Sequence, residues 1–138
     1  MLPKWHILFG AIFVLMLFYF FNVNLFSCLL IFFTSVLIDI DHYLWFANRK
    51  KDWNLKNAYS WHKNLPKNHK PVLQIFHTVE FLIFLILLIP LFNFLLFLLI
   101  GLLFHSVFDV AELIYKNKPC CREYFLVRYI ISDKSKYL

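Results

Sequence analysis

From Phe81 to Asp109 the chain reads FLIFLILLIPLFNFLLFLLIGLLFHSVFD, a hydrocarbon run that ends on an imidazole and a carboxylate. Pro90 and Asn93 interrupt it. Proline removes a backbone donor and helices tend to stop near it, so the run divides into two helices that fold back on each other. The halves Leu82 to Leu88 and Phe94 to Leu99 contain no polar side chain at all.

The pattern recurs outward from there. Apolar runs cover about 5–21, 25–40, 72–92 and 94–114, with Asn22-Val23-Asn24 as a tight turn between the first two. A membrane span needs about 20 residues, so the first two runs are short. Apolar residues make up 62% of the 138, with 18 Phe and only 2 Gly, which leaves too little polar surface to cover a water-soluble globule. The expected fold is an all-α integral membrane protein, one domain over 1–138, in which four transmembrane helices form two helical hairpins. The end of the first run lacks a small-residue cleavage pattern, so the run is expected to stay in the mature protein.

Charge sets the expected orientation. Lys4, the basic residues of a loop over 43–71 (Arg49, Lys50, Lys51, Lys56, Lys63, Lys67, Lys70) and those of a tail over 115–138 (Lys116, Lys118, Arg122, Arg128, Lys134, Lys136) account for all 14 Lys and Arg. An even number of spans puts these segments on one side, and the positive-inside rule names it the cytoplasm. The expectation is therefore a multi-pass protein of the inner (cytoplasmic) membrane, with both termini in the cytoplasm. Trp5, Trp45, Trp53 and Trp61 flank the spans on the same side, as interfacial aromatics do. The net charge of +6 is read as attraction of the basic loop and tail to anionic lipid headgroups, and no nucleic-acid partner is expected. Cys28, Cys120 and Cys121 form no C-x-x-C pair, which argues against a disulfide framework and a zinc knuckle.

The ionisable groups inside the spans are the candidates for chemistry, because intramembrane charge is costly and usually faces a bundle interior. His6 opens the first helix and Asp39, Asp41 and His42 close the second. His77 and Glu80 fall early in the third, and His105 and Asp109 late in the fourth. Alternate helices run in opposite directions, so all four sets arrive at one level. His77/Glu80 and Asp39/His42 are spaced i,i+3 and His105/Asp109 i,i+4, each pair on one helical face, which turns Asp41 away unless the helix unwinds there. Asp39 and Asp41 sit at a helix C-terminus, where the dipole disfavours anions, and so call for a cation. Mixed oxygen and nitrogen donors suit a divalent transition metal (Zn, Mn or Fe), as one ion or two. The expected ligands are His6, Asp39, His42, His77, His105 and Asp109, with Asp41 and Glu80 as bridging ligand or general base. Glu112 lies near the end of its span and is expected to snorkel. His62 and His69 read as loop histidines, the latter close enough to the third helix to reach the site.

Asp39-Ile40-Asp41-His42, His77-Thr78-Val79-Glu80 and His105-Ser106-Val107-Phe108-Asp109, together with His6, resemble the motifs of the membrane-bound metal-dependent hydrolases, also called LexA-binding, inner-membrane-associated hydrolases. The likeness runs from about Lys4 to Val110. The tail from Tyr124 to Tyr129 also looks like the C-terminal segment of a small prokaryotic subgroup. Where larger relatives carry a His-Arg pair shortly before the residue matching His77, this chain has His69-Lys70, further upstream. The resemblance implies a metal-dependent hydrolase, and the expected substrate is a phosphate ester or another amphiphile at the cytoplasmic membrane surface. Two other functions fit the same residues: metal binding or transport without catalysis, and a small membrane assembly protein whose charges hold helices together.

Overall fold

The computed structural model describes residues 3–65, 70–115, 122–133 and 136. His69, Cys120, Cys121, Lys67, Lys116, Lys118 and Lys134 lie outside them. The chain is mostly helical: α1 (Pro3–Phe21), α2 (Leu25–Leu37), α3 (Ile40–Lys50), α4 (Leu55–Lys63), α5 (Val79–Leu88), α6 (Leu95–Tyr115) and α7 (Leu126–Ile131).

Three helical stretches are long and apolar enough to cross a membrane: α1, the run Leu25–Lys50 made by α2 and α3, and α6. They carry a coat of outward-facing apolar side chains, with Phe20 79% exposed and Leu87, on α5, 69%. Such a surface suits a lipid surrounding. The expected tight turn is present: Asn22 takes a positive φ of 52°, a conformation asparagine tolerates, and the Asn24 side chain accepts the Ser27 N–H at 2.9 Å to cap α2.

The third apolar run differs from expectation. Instead of a helix over 72–92, it begins with a strand, β1 (Val72–Leu73), and a 3₁₀ turn over Ile75–His77. Thr78 is extended and its hydroxyl accepts the Phe81 N–H, so the helix starts only at Val79. The resulting α5 has 10 residues, about 15 Å of rise against a hydrocarbon core of about 30 Å. Strand β1 pairs in parallel with β2 (Arg122–Glu123), so the all-α expectation has one short exception, and it ties the tail to the start of α5.

The second run differs too. Helix α2 gives way to a turn at Ile38–Asp39 and the chain re-enters a helix at Ile40, which continues to Lys50, well past the expected end at 40. The expected loop over 43–71 therefore contains most of α3 and all of α4. These pack through Trp45 and Trp61, whose ring centroids lie 5.0 Å apart, and through Tyr43, whose hydroxyl donates to the Trp53 carbonyl at 2.7 Å. In the connection, the Asn54 backbone N–H and then the Asn57 amide bond to Asp52, holding its carboxyl below the usual carboxylate range.

Helix α2 packs against both α1 and α6, and α5 packs against α6. Ile38, Leu85, Leu99 and Leu102 form the buried apolar centre. The chain's two glycines sit at the closest approaches. A Cβ on Gly101 would lie 2.5 Å from the Ile31 carbonyl oxygen on α2, and one on Gly10 would lie 2.8 Å from Ser35 Oγ. Small residues at such crossings let membrane helices meet backbone to backbone. Gly101→Ala should therefore destabilise the bundle by about 1–3 kcal/mol, as overpacking does. Gly10→Ala, which meets a hydroxyl that can rotate aside, should cost less. Unfolding titrations of the detergent-purified variants measure both, and equal losses would contradict this account of the α2–α6 crossing.

Candidate metal centre

The helix break at Ile38–Asp39 is what assembles the site. It makes Asp39 the residue that precedes α3 and puts Asp41 in the first turn of that helix. Both acids thus lie at a helix N-terminus as well as just beyond the end of α2. The adverse dipole argued from sequence is corrected accordingly, because the amides of α3 offer these anions a favourable end. The break also lets Asp39 and Asp41 serve the cluster together, which an unbroken helix would not allow.

Around them gather residues from distant parts of the chain. His6 Nε2 lies 3.2 Å from Asp109 Oδ1 and 3.9 Å from Asp39 Oδ2. His42 Nε2 lies 3.3 Å from Asp39 Oδ1. His105 Nε2 is 3.3 Å from both Asp39 Oδ1 and Asp109 Oδ2, and His77 Nε2 is 3.8 Å from Asp109 Oδ2. His6, Asp41, His77, His105 and Asp109 are buried, and His105 is fully enclosed. The His6 and His105 rings stack with centroids 4.0 Å apart. Phe9 and Phe13, on the following turns of α1, stack on Phe108 and Phe104 of α6 and cover this side of the cluster.

Each of three imidazoles is anchored through its other nitrogen. His105 Nδ1 lies 2.8 Å from the Ser35 carbonyl oxygen and His77 Nδ1 lies 3.1 Å from Asp41 Oδ2. Carbonyls and carboxylates only accept, so both Nδ1 atoms carry a proton, and the Nε2 atoms are the ones that face Asp39 and Asp109. His42 Nδ1 meets the amide nitrogen of Gln74 at 2.7 Å, while Gln74 Oε1 is buried without a partner. Turning that amide by 180° pairs its oxygen with an Nδ1 proton and gives His42 the same arrangement.

The Nε2 atoms of His6, His42, His77 and His105 are all buried, and none makes a hydrogen bond. They approach carboxylate oxygens at 3.2–3.8 Å without pointing along an N–H···O line. Donors bound to one centre behave this way, since each aims at the centre and not at its neighbour. Two ligands each about 2.0–2.1 Å from a tetrahedral ion lie about 3.4 Å apart. The donor set therefore fits a metal ion. Asp39, His77, His105 and Asp109 offer atoms all within 4.8 Å of one another, and Asp41, His42 and His77 form a second such group.

Two of the residues singled out in the sequence lie elsewhere. Glu80 is not on the His77 face, because the helical path that would align them starts after Thr78. Its carboxylate instead accepts the Leu126 and Val127 N–H groups at 2.9 and 3.0 Å, at the start of α7. Glu112 is half-buried and outside both groups. His62 borders the site, its Nε2 3.1 Å from the His42 carbonyl oxygen and its ring edge-on to the His42 ring with centroids 5.5 Å apart.

Sequence reasoning missed two contributors. Arg122 Nη2 donates to Asp109 Oδ2 at 2.8 Å, and nothing in the tail sets Arg122 apart from Arg128. Gln74 was legible, since it is a lone amide between Val72-Leu73 and Ile75-Phe76. Beside Arg122, burial pushes the Tyr124 hydroxyl pKa above its ordinary value.

The chain matches no model of a known protein family, no curated protein and no solved structure. Purified protein supplied with Mn, Fe or Zn should retain metal by elemental analysis. His77→Ala and Asp109→Ala should each lower the occupancy, and Gln74→Ala should weaken affinity about 10- to 100-fold by freeing the His42 ring. Glu80→Gln should leave it unchanged. A wild type that stays metal-free under these conditions would sink the assignment.

Proposed function

We propose that this protein is a metal-dependent hydrolase of the inner membrane, acting at the cytoplasmic surface on a phosphate ester carried by an amphiphile. The observation that carries the reading is the set of unpaired, buried Nε2 atoms facing Asp39 and Asp109. The resemblance of the motifs to the membrane-bound metal-dependent hydrolases supports it. A bound Zn, Mn or Fe ion would act there as a Lewis acid and lower the pKa of water.

The chain's own groups have separable tasks. His6, Asp39, His42, His77, His105 and Asp109 would hold one ion or two. Asp41 fixes the His77 ring through Oδ2, which also accepts the Phe76 N–H at 3.3 Å, while its Oδ1 is buried without a partner. That oxygen is free to take the proton of an attacking water as the new P–O bond forms and the ester oxygen leaves with its electron pair. Glu80, occupied by the α7 amides, anchors the tail.

We read the chain as four segments in two hairpins, of which α5, about 15 Å long, enters the core without crossing it. From the Asn22-Val23-Asn24 turn, His6 and Asp39 are each about 20–25 Å along their helices, and His105 is about 15 Å from the start of α6, the rise of α5 itself. This would set the site in the inner half of a core about 30 Å thick, with α3, α4 and the basic residues beyond it in the cytoplasm.

A second reading has one observation in its favour. The 2.8 Å bond from Arg122 to Asp109 is an ordinary ion pair, and protonated imidazoles could complete a network that only holds helices together. Metal content separates that assembly role from the first reading, and turnover separates catalysis from metal binding or transport.

In a panel of phospholipids, isoprenoid phosphates and simple esters assayed with Mn and Zn, Asp41→Asn should reduce turnover about 10²- to 10⁴-fold, the usual loss for a general base. Glu80→Gln should keep most of it. Metal-loaded wild type that turns over nothing in the panel would favour binding or transport. For orientation, a cysteine placed at Lys56 in a chain lacking Cys120 and Cys121 should react only with reagents that reach the cytoplasm, and labelling in intact cells would overturn the proposed topology.

A further inference from the structure

We propose that Arg122 is the anion-binding residue of this site, seating the phosphate group of the substrate beside Asp109. The word substrate rests on the hydrolytic reading above, while the anion site rests on geometry. The Arg122 side chain is only 9% exposed, and among the described residues its one side-chain bond is that to Asp109 Oδ2. A guanidinium carries five N–H donors in a planar fork, so a single bond leaves most of them unused. No nitrogen of Arg122 is among the sealed atoms that lack a partner. The rest of the fork is thus not fully closed off, within the 9% exposure of the side chain, while Nη2 grips Asp109. Its remaining edge suits a bidentate phosphate.

The tail holds this edge in place. Arg122 and Glu123 pair with Val72 and Leu73. The Tyr124 carbonyl accepts the Val79 N–H at 2.9 Å, and Glu80 takes the two amides that follow Phe125. A residue that served only as a surface anchor would resemble Arg128, whose side chain is 70% exposed and meets Glu123 at 3.6 Å. The charge count points the same way. Asp39, Asp41 and Asp109 against Arg122 leave a balance that a divalent ion would cancel, and with that ion bound the free edge of Arg122 faces no competing excess of negative charge. The phosphate could belong to a lipid headgroup or to a soluble ester, and the chemistry of recognition is the same.

Equilibrium dialysis of detergent-purified protein against labelled inorganic phosphate, and against a short-chain phosphatidic acid, tests this with and without Mn. Arg122→Gln should weaken both by roughly 10- to 100-fold, the worth of a hydrogen bond to a charged group. Arg122→Lys, which keeps the charge without the fork, should lose less, and at saturating Mn both variants should still hold metal at the wild-type level. Tighter binding of the lipid identifies a headgroup, and equal binding a soluble phosphate. In wild type, phosphate should shield Arg122 but not Arg49 from phenylglyoxal, read by peptide mass spectrometry. The proposal is overturned if wild type binds neither probe, if Arg122→Gln binds as wild type does, or if both variants lose metal, which would make Arg122 a clasp on Asp109. Arg122-dependent phosphate binding without turnover would keep this proposal and remove the hydrolase. Turnover unchanged in Arg122→Gln would do the reverse.

Discussion

Asp39 and Asp109 stand inside an apolar bundle, where the cost of removing a carboxylate from water is several kcal/mol even after relaxation. Asp109 is 2% exposed, on a helix that packs against α1 and α2. The fold answers with imidazoles delivered from α1, α3, the 3₁₀ turn and α6, and with a guanidinium from the tail. The small residues follow from the same need. Gly101 lets α6 touch the backbone of α2 one turn before His105, and that contact is what brings His105 within reach of the Ser35 carbonyl. An alanine there would move the helix that carries two members of the cluster.

The backbone irregularities are likewise placed at the cluster. The turn at Ile38–Asp39, the 3₁₀ turn at Ile75–His77 and the extended Thr78 each interrupt a helix at the level of the histidines. Irregular backbone at membrane depth is tolerated where it is buried in protein or lines a polar cavity. Here the break at Ile38–Asp39 aims Asp41 at His77, away from which an unbroken helix would turn it.

The sequence made the apolar helices, the Asn22-Val23-Asn24 turn and the meeting of His6, Asp39, His42, His77, His105 and Asp109 readable, because those depend on hydrophobic length and on alternating direction. It was misleading wherever a helical period was carried through a break. Glu80 was matched to His77 by i,i+3 spacing, and Thr78 ends that period. Asp41 was turned away only on an unbroken helix, and the break at Asp39 is the exception under which it joins the cluster. Arg122 was not readable, since its role depends on a strand pair between positions far apart in the chain. Gln74 was readable as an isolated polar residue in an apolar run, and only the structure says that it holds His42.

The β1–β2 pair joins residues on either side of α5 and α6, Val72 to Arg122 and Leu73 to Glu123. Contacts of such long sequence separation form late. During synthesis the helices enter the membrane from the N-terminus onward, and the tail emerges from the ribosome after all of them. Until it does, Asp109 lacks the Arg122 guanidinium and the start of α5 has no strand beside it. The nascent chain thus passes through an interval in which its acid cluster still lacks its guanidinium, and the emergence of Arg122 and Glu123 decides when that interval ends.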